Sequence, residues 1–308
     1  MTRVAAVDLG TNSTRLLVAD VEAGRLEEVE RRLAITRLGE GVDERGRLLP
    51  VPVARVRNVL SEFRREAESL GVERVLAVAT SAVRDAENGE AFLGEVEWSY
   101  GFATRLLDGG EEAALAFRGV SVERVLPAGT LVLDVGGGST ELSVDGRDAV
   151  SLDVGSVRLT ERFLVSDPPA AEELETAATY VRSLLPALRP TGAIGVAGTI
   201  TSLAALELGA YDPELVHGFV LTRRSVEAQL QRLAALPVEE RRELPGLEPG
   251  RAPVIVSGAL IVREVLRAYD LDELEVSEHD LLDGVALAAA ELPAPEEGAA
   301  PPGAYTCC

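Results

Sequence analysis

Two short stretches of this chain carry the same residue types in the same frame. The first reads Asp8-Leu9-Gly10-Thr11-Asn12-Ser13-Thr14-Arg15-Leu16-Leu17-Val18. The second reads Asp134-Val135-Gly136-Gly137-Gly138-Ser139-Thr140-Glu141-Leu142-Ser143-Val144. Both fit D-x-G-x-x-S-T-x-L-x-V. Glycine lets the backbone turn tightly and lets an anion approach the amides. Successive N–H groups in such a turn form a concave nest for a phosphate oxygen. Ser13, Thr14, Ser139 and Thr140 add hydroxyl donors. Asp8 and Asp134 cannot bind phosphate directly. They either satisfy turn amides or hold Mg²⁺, which neutralises the phosphate charge. The doubling of the loop favours metal and phosphate.

Phosphoryl transfer asks the protein for positioning, charge stabilisation and an oriented nucleophile. If water attacks, a carboxylate is the simplest base. Glu111 and Glu112, in Asp108-Gly109-Gly110-Glu111-Glu112-Ala113, are the candidates. The competing reading is that acidic residues simply suit the start of a helix. Arg84, in Thr80-Ser81-Ala82-Val83-Arg84-Asp85, is either a surface charge or an arm that reaches phosphate. Thr80 and Ser81 end an apolar run and read as caps for the next helix. Arg37 stands beside glycines in Arg37-Leu38-Gly39-Glu40-Gly41. A third anion site is expected where Ala197-Gly198-Thr199 leaves the strand AIGVA and opens a helix.

Each motif lies between apolar runs, so each reads as strand, tight turn, strand. After the first hairpin the pattern predicts a strand at 25–35, a helix at 53–70, a strand at 74–79, a helix at 86–97, a strand at 102–106 and a helix at 110–119. After the second it predicts a strand at 148–154, helices at 157–164 and 170–185, a strand at 192–197 and a helix at 199–208, with further helices beyond. This is an α/β chain built from two related tandem units. The boundaries read as 1–125 and 126–292, with a boundary turn at Pro127-Ala128-Gly129 and a disordered tail at 293–308 rich in Pro, Gly and Ala. The final helix, about 280–292, is expected to pack back on the first unit.

Composition narrows the chemistry. The 308 residues include 30 basic and 51 acidic side chains, for a formal net charge of −21. Every basic residue is arginine. That excludes a P-loop lysine, a kinase lysine and Schiff-base chemistry. The acidity argues against nucleic acid or an anionic membrane surface as partner, though a local site with a divalent cation overrides it for a phosphorylated substrate. No apolar run suggests a membrane span, and the N-terminal segment turns acidic too early for a secretory leader. The two cysteines, Cys307 and Cys308, are adjacent, so no disulfide framework is expected. The cytoplasm is the default compartment. With only His217 and His279, a histidine-rich metal site is not expected, and Ser277-x-x-Asp280 reads as a helix cap rather than as part of an HD site.

With these motifs in hand, the chain resembles the exopolyphosphatase and guanosine pentaphosphate phosphohydrolase (Ppx/GppA) family, within the wider actin, sugar-kinase and Hsp70 ATPase superfamily. The resemblance rests on VAAVDLGTNSTRLLVAD, RLGEGVD, ATSAVRDAENG, GGEEA, LVLDVGGGSTEL, VAGTITSLAA, VHGFVLTRRSV, LPGLEPGRAPVIVSGALIV and EVSEHDLLDGV, which run from residue 4 to about 286. It implies two tandem actin-like (ribonuclease H-like) domains with the substrate in the cleft between them. It implies that Glu112 orients the attacking water with support from Glu111. Asp134 with Gly136, Gly137, Gly138 and Ser139 would bind phosphate and Mg²⁺, or Mn²⁺ in its place. Asp8 with Thr11, Asn12 and Ser13 would do so from the other side, and Arg84 would contact substrate phosphates. The expected substrate is inorganic polyphosphate, short chains first, with guanosine pentaphosphate (pppGpp) as the alternative. An ATP-using kinase or ATPase and a non-catalytic (p)ppGpp or polyphosphate sensor are the readings of another class. A homodimer and regulation by (p)ppGpp also follow from the resemblance. Two departures stand out. Asp108 occupies a position where family members often carry serine, and Leu281-Leu282-Asp283-Gly284 lacks the family's arginine.

Overall fold

The computed structural model describes residues 1–293. The expected tail at 293–308 therefore lies, beyond Pro293, outside the described residues. The chain divides into two compact units, Met1–Arg124 together with the segment from Leu281 onward, and Val125–Asp280.

The first unit runs β1 (Thr2–Leu9), β2 (Ser13–Glu22), β3 (Arg25–Ile35), α1 (Val42–Arg45), α2 (Pro50–Ser69), β4 (Arg74–Ala79), α3 (Ser81–Arg84), α4 (Gly89–Tyr100), β5 (Ala103–Leu106) and α5 (Gly109–Val120). The second runs β6 (Thr130–Val135), β7 (Thr140–Val144), β8 (Arg147–Leu152), α6 (Ser156–Phe163), α7 (Ala171–Leu184), β9 (Gly192–Val196), α8 (Ala197–Leu208), α9 (Pro213–Val216), β10 (Val220–Thr222), α10 (Arg223–Ala234), α11 (Val238–Arg242), α12 (Ile255–Ala268) and β11 (Glu273–Val276). A last helix, α13 (Leu281–Glu291), belongs to the first unit.

The sheets repeat one topology. The first is ordered β3-β2-β1-β4-β5 and the second β8-β7-β6-β9-β11-β10. Counted within each unit, both are an antiparallel three-stranded meander followed by parallel strands on the far side of the first strand, with β10 added antiparallel at the second unit's edge. The sequence repeat is thus a repeat of structure. β10 and β11 lie where only helices were expected; with three and four residues they are too short to show a period.

Burial explains the apolar runs. β1 is covered on both faces, so alternation vanishes and the strand reads as continuous hydrophobe. Ala5, Val7 and Leu9 face Val56 and Leu60 of α2 and Phe92 and Val96 of α4. Val4 and Ala6 face Ala116 of α5 and Leu282, Val285 and Ala286 of α13. A Cβ on Gly284 would lie 2.0 Å from the Leu115 carbonyl oxygen, so α13 meets α5 at van der Waals distance only because that position is glycine. Asp283, fully buried, pairs with Arg31 of β3 at 3.2 Å. The acidic residue of the departing Leu-Leu-Asp-Gly segment therefore ties α13 to the sheet edge. In the second unit, Leu131, Leu133, Val135 and Leu142 pack under helices that include α8 and α12.

Candidate functional site

Strands β1, β4 and β5 are parallel, with Leu9 beside Ala79 and Ala79 beside Leu106. Their C-terminal ends therefore deliver three segments side by side: the Asp8–Ser13 loop, the Thr80–Arg84 turn and the start of α5. This is the edge at which open α/β sheets bind ligands.

In the first loop the Gly10 amide donates to the Ser13 carbonyl at 3.0 Å. A Cβ on Gly10 would stand 2.9 Å from that same oxygen. The loop carbonyls are used from behind: Gly39 N–H donates to Thr11 O at 2.8 Å, and Thr36 and Arg37 N–H donate to Asn12 O at 3.1 and 2.9 Å. Arg37 takes a left-handed φ of 49° to do so. Among the described residues, no protein acceptor is bonded to the Thr11 or Asn12 amides. Two consecutive donors are thereby left for an anion. The Thr11 and Ser81 hydroxyls meet at 3.0 Å in a buried contact. Ser81 thus joins the loop instead of capping α3, and Thr80 at the N-cap position makes no side-chain cap bond.

The start of α5 sorts the two glutamates. Asp108 is the N-cap and accepts from the Glu111 amide at 2.8 Å, while Glu111 accepts from the Asp108 amide at 3.0 Å. The reciprocal pair is a capping box. Glu111 also pairs with Arg105. Its carboxylate is spent on holding the helix start, and any support it gives Glu112 runs through that cap. Glu112 lies one position on, 6% exposed, with its amide bonded to Asp108 O at 2.9 Å. Arg84 Nη1 donates to Leu107 O at 2.8 Å and lies 3.4 Å from Glu112 Oε2. A buried carboxylate with a cation at its side is thus fixed on the same strand-end row as the loop.

The second unit repeats the turn with different partners. Gly136 N–H donates to Ser139 O at 3.1 Å. The carbonyls of Gly136 and Gly137 accept from the first amides of α6: Ser156 to Gly136 at 2.9 Å, Val157 and Arg158 to Gly137 at 2.8 and 3.1 Å. The positive end of α6 is therefore plugged into the loop from behind, which polarises the loop peptides toward an anion. Again no protein acceptor among the described residues is bonded to two consecutive amides, those of Gly137 and Gly138. Beside this loop, β6 and β9 are parallel, with Asp134 opposite Val196. The third predicted anion site, Gly198 and Thr199 at the start of α8, thus neighbours Asp134. Ala197 enters the helix at φ 66°. A Cβ on Gly198 would fall 2.0 Å from Arg251 Nη1, so a guanidinium occupies the space that a side chain would take. Behind it, buried Arg241 donates to Ala252 O at 2.9 Å and to Asp167 at 2.7 Å. Burial holds the Arg241 guanidinium below its ordinary pKa, against the opposing pull of Asp167.

Besides Arg251, three residues of consequence were not read from the sequence. Arg15 lies across the strands from Asp8 and bonds its Oδ2 at 2.9 Å. Glu141 occupies the matching position opposite Asp134 and is 2% exposed, with Ser151 Oγ donating to it at 2.7 Å. The two loops, expected to hold metal alike, therefore differ in charge: one aspartate faces a guanidinium and the other a carboxylate. The available signal was the repeat itself, since Arg15 and Glu141 are its one position of opposite charge. The third is Gly155, whose Cβ would lie 2.4 Å from the Gly137 carbonyl carbon. Elsewhere, the His217 and His279 rings meet edge-on at 5.3 Å, and His217 Nδ1 accepts from the Glu278 amide at 3.2 Å. Ser277 does not cap α13. Its hydroxyl closes a local turn, donating to His279 O and accepting from His279 N–H at 2.9 and 3.0 Å.

A family model for the Ppx/GppA phosphatase family matches residues 17–292. The chain belongs to that family. It is accordingly an enzyme, a phosphoanhydride hydrolase. Exopolyphosphatase 2 of Mycobacterium tuberculosis is 42% identical, over 94% of this chain and 99% of the relative. The crystal structure of an exopolyphosphatase-like protein is 36% identical with a TM-score of 0.88, covering 93% of this chain and 97% of that one. The Ppx/GppA enzyme of Aquifex aeolicus is also 36% identical, with a TM-score of 0.78 over 93% and 99% of the two chains. The exopolyphosphatase-like protein shares the α/β fold of this chain, whose two units repeat one sheet order. Among the described residues, no helix is long and apolar enough to cross a membrane.

Proposed function

We propose that this chain is an exopolyphosphatase that removes the terminal phosphate of inorganic polyphosphate with the help of Mg²⁺. The observation that carries the reading is Glu112, a buried carboxylate held beside Arg84 at the strand ends that also present the first phosphate loop. Glu112 accepts a proton from a water whose oxygen attacks the terminal phosphorus. The bridging P–O bond breaks, and its electrons leave with the shortened chain as a phosphate oxygen. Arg84 steadies Glu112 and the charge on the transferred phosphoryl group. The paired amides of the first loop bind phosphate oxygens beside these two residues; within the second unit, the matching loop amides with Arg251 and the start of α8 form a phosphate-binding surface of their own.

The residues present suit a hard divalent cation at one loop. Asp134 and Glu141 are buried acids facing each other across β6 and β7, and Ser151 orients one of them. They would hold Mg²⁺, whereas Asp8 is already engaged by Arg15. When bound, the ion neutralises charge on the phosphate chain. It also offsets the repulsion between a polyanion and a protein of net charge −21. The test is phosphate release from polyphosphate, pppGpp and ATP, each with Mg²⁺ and with EDTA. Fast Mg²⁺-dependent release from polyphosphate is expected. Equal rates in EDTA contradict the metal, and a preference for pppGpp or ATP contradicts the substrate.

A further inference from the structure

We propose that Asn12 reads the end of the phosphate chain, by pairing with a terminal phosphate that still carries one proton. The inference rests on the polyphosphate reading and adds to it a reason why hydrolysis starts at the end.

Asn12 is 6% exposed, and among the described residues neither its Nδ2 nor its Oδ1 has a hydrogen-bond partner. An amide side chain offers donors at nitrogen and an acceptor at oxygen. Leaving such a group buried and unpaired is costly, so the site calls for a ligand that both accepts and donates. The rest of the loop only needs an acceptor: the Thr11 and Asn12 amides have no protein acceptor among the described residues, and the Thr11 and Ser81 hydroxyls stand beside them. Oδ1 is the exception. Against a fully ionised phosphate oxygen it would be repulsive.

Phosphates within a chain have one acidic oxygen each, ionised far below neutral pH, and have no proton to give. Only a terminal phosphate has a second ionisation, near pH 6 for a phosphate monoester, roughly. A singly protonated terminus presents a bare oxygen to Nδ2 and a hydroxyl to Oδ1. No interior phosphate does both. The second loop has Gly138 where the first has Asn12, so it lacks the amide. End reading is thereby confined to the unit that holds Glu112 and Arg84.

The test is binding by the full chain carrying Glu112→Gln, which keeps substrates intact. Dissociation constants are measured for tetraphosphate with free ends and for tetraphosphate esterified with phenyl groups at both ends. Each is run below and above the second ionisation of a terminal phosphate. The free-ended chain should bind at least about tenfold tighter at the lower pH, with the preference shrinking at the higher one as the terminal proton is lost. Asn12→Ala should abolish both the preference and its pH dependence while still binding each chain through the loop amides. Asn12→Asp, which keeps the shape and loses the donor, should abolish the preference too. Persistence of the preference in Asn12→Ala, or its absence with Asn12 intact, overturns the assignment and leaves polyphosphate as the substrate. Failure of the Asn12-bearing protein to bind either chain removes both readings.

Discussion

Replacing Gly155 with alanine tests whether α6 must touch the second phosphate loop. Gly155 has φ −141° and ψ 174°, extended backbone that any residue adopts, so no torsional penalty attends the change. The effect is steric. The new methyl would sit 2.4 Å from the Gly137 carbonyl carbon, 2.5 Å from its oxygen and 2.6 Å from the Gly138 nitrogen. Carbon atoms in good contact stand about 3.5–4.0 Å apart, so α6 and the loop must part by roughly 1 Å. All three neighbours are backbone and cannot swing aside. Overpacking of this kind costs about 1–3 kcal/mol, which for a domain of this size lowers Tm by roughly 2–10 °C. The same movement stretches the three bonds from Ser156, Val157 and Arg158 to the loop carbonyls. It also displaces the amides that grip phosphate. A misplacement near 1 Å can cost about 10²-fold in rate, and a fall of about 10- to 100-fold in kcat/KM is expected on that ground. Thermal unfolding and phosphate release are the assays. Gly192→Ala, where an added Cβ meets nothing within 4 Å, is the control. If the two variants melt and turn over alike, the packing of α6 on the loop does not set the site.

Gly198→Ala places a methyl 2.0 Å from Arg251 Nη1, the far end of a flexible side chain. The fold should survive, with Tm within about 2 °C of the parent. The dissociation constant for polyphosphate should rise about tenfold as Arg251 is pushed out, an effect near 1.4 kcal/mol; unchanged affinity removes Arg251 from the site. Tyr269 offers a pH test. Burial raises its phenol from 10.0 to about 12, and its hydroxyl donates to Pro186 O at 3.0 Å. A raised folded-state pKa gives stability that is complete below 10.0 and lost as pH climbs toward 12. Tyr269→Phe should flatten the stability decline across that window. An unaltered slope in alkaline unfolding would show that another group carries it.

Much of the architecture is legible in residue pattern. The paired hairpins, the strands at Arg25–Ile35 and Arg74–Ala79 and the start of α8 after a glycine-bearing strand follow from periodicity and turn chemistry. Where the reading slipped, tertiary contacts had overruled local preference. The helix expected from residue 86 begins at Gly89, because Asn88 is drawn away to bond Leu48 through both ends of its amide, at 2.8 and 3.1 Å. Ser81 abandons its cap for Thr11 for the same reason. The candidate site divides likewise. Loop residues and Glu112 show in the sequence because their chemistry depends on neighbours along the chain. Gly155 and Arg251 do not, because each is defined by a backbone segment distant in sequence, Gly137 in one case and Gly198 in the other. The opposite charges of Arg15 and Glu141 were visible, but their meaning depends on the cross-strand register that sets them against Asp8 and Asp134.

The measurement that bears most directly on the account is steady-state phosphate release from polyphosphate by Glu112→Gln. The isosteric amide keeps the place beside Arg84 but cannot take a proton from water. General-base loss predicts a fall in kcat of about 10²–10⁴-fold, with the dissociation constant for polyphosphate unchanged within about threefold. Turnover close to that of the parent enzyme would contradict the assignment of Glu112 as the base, and with it the mechanism built on this site.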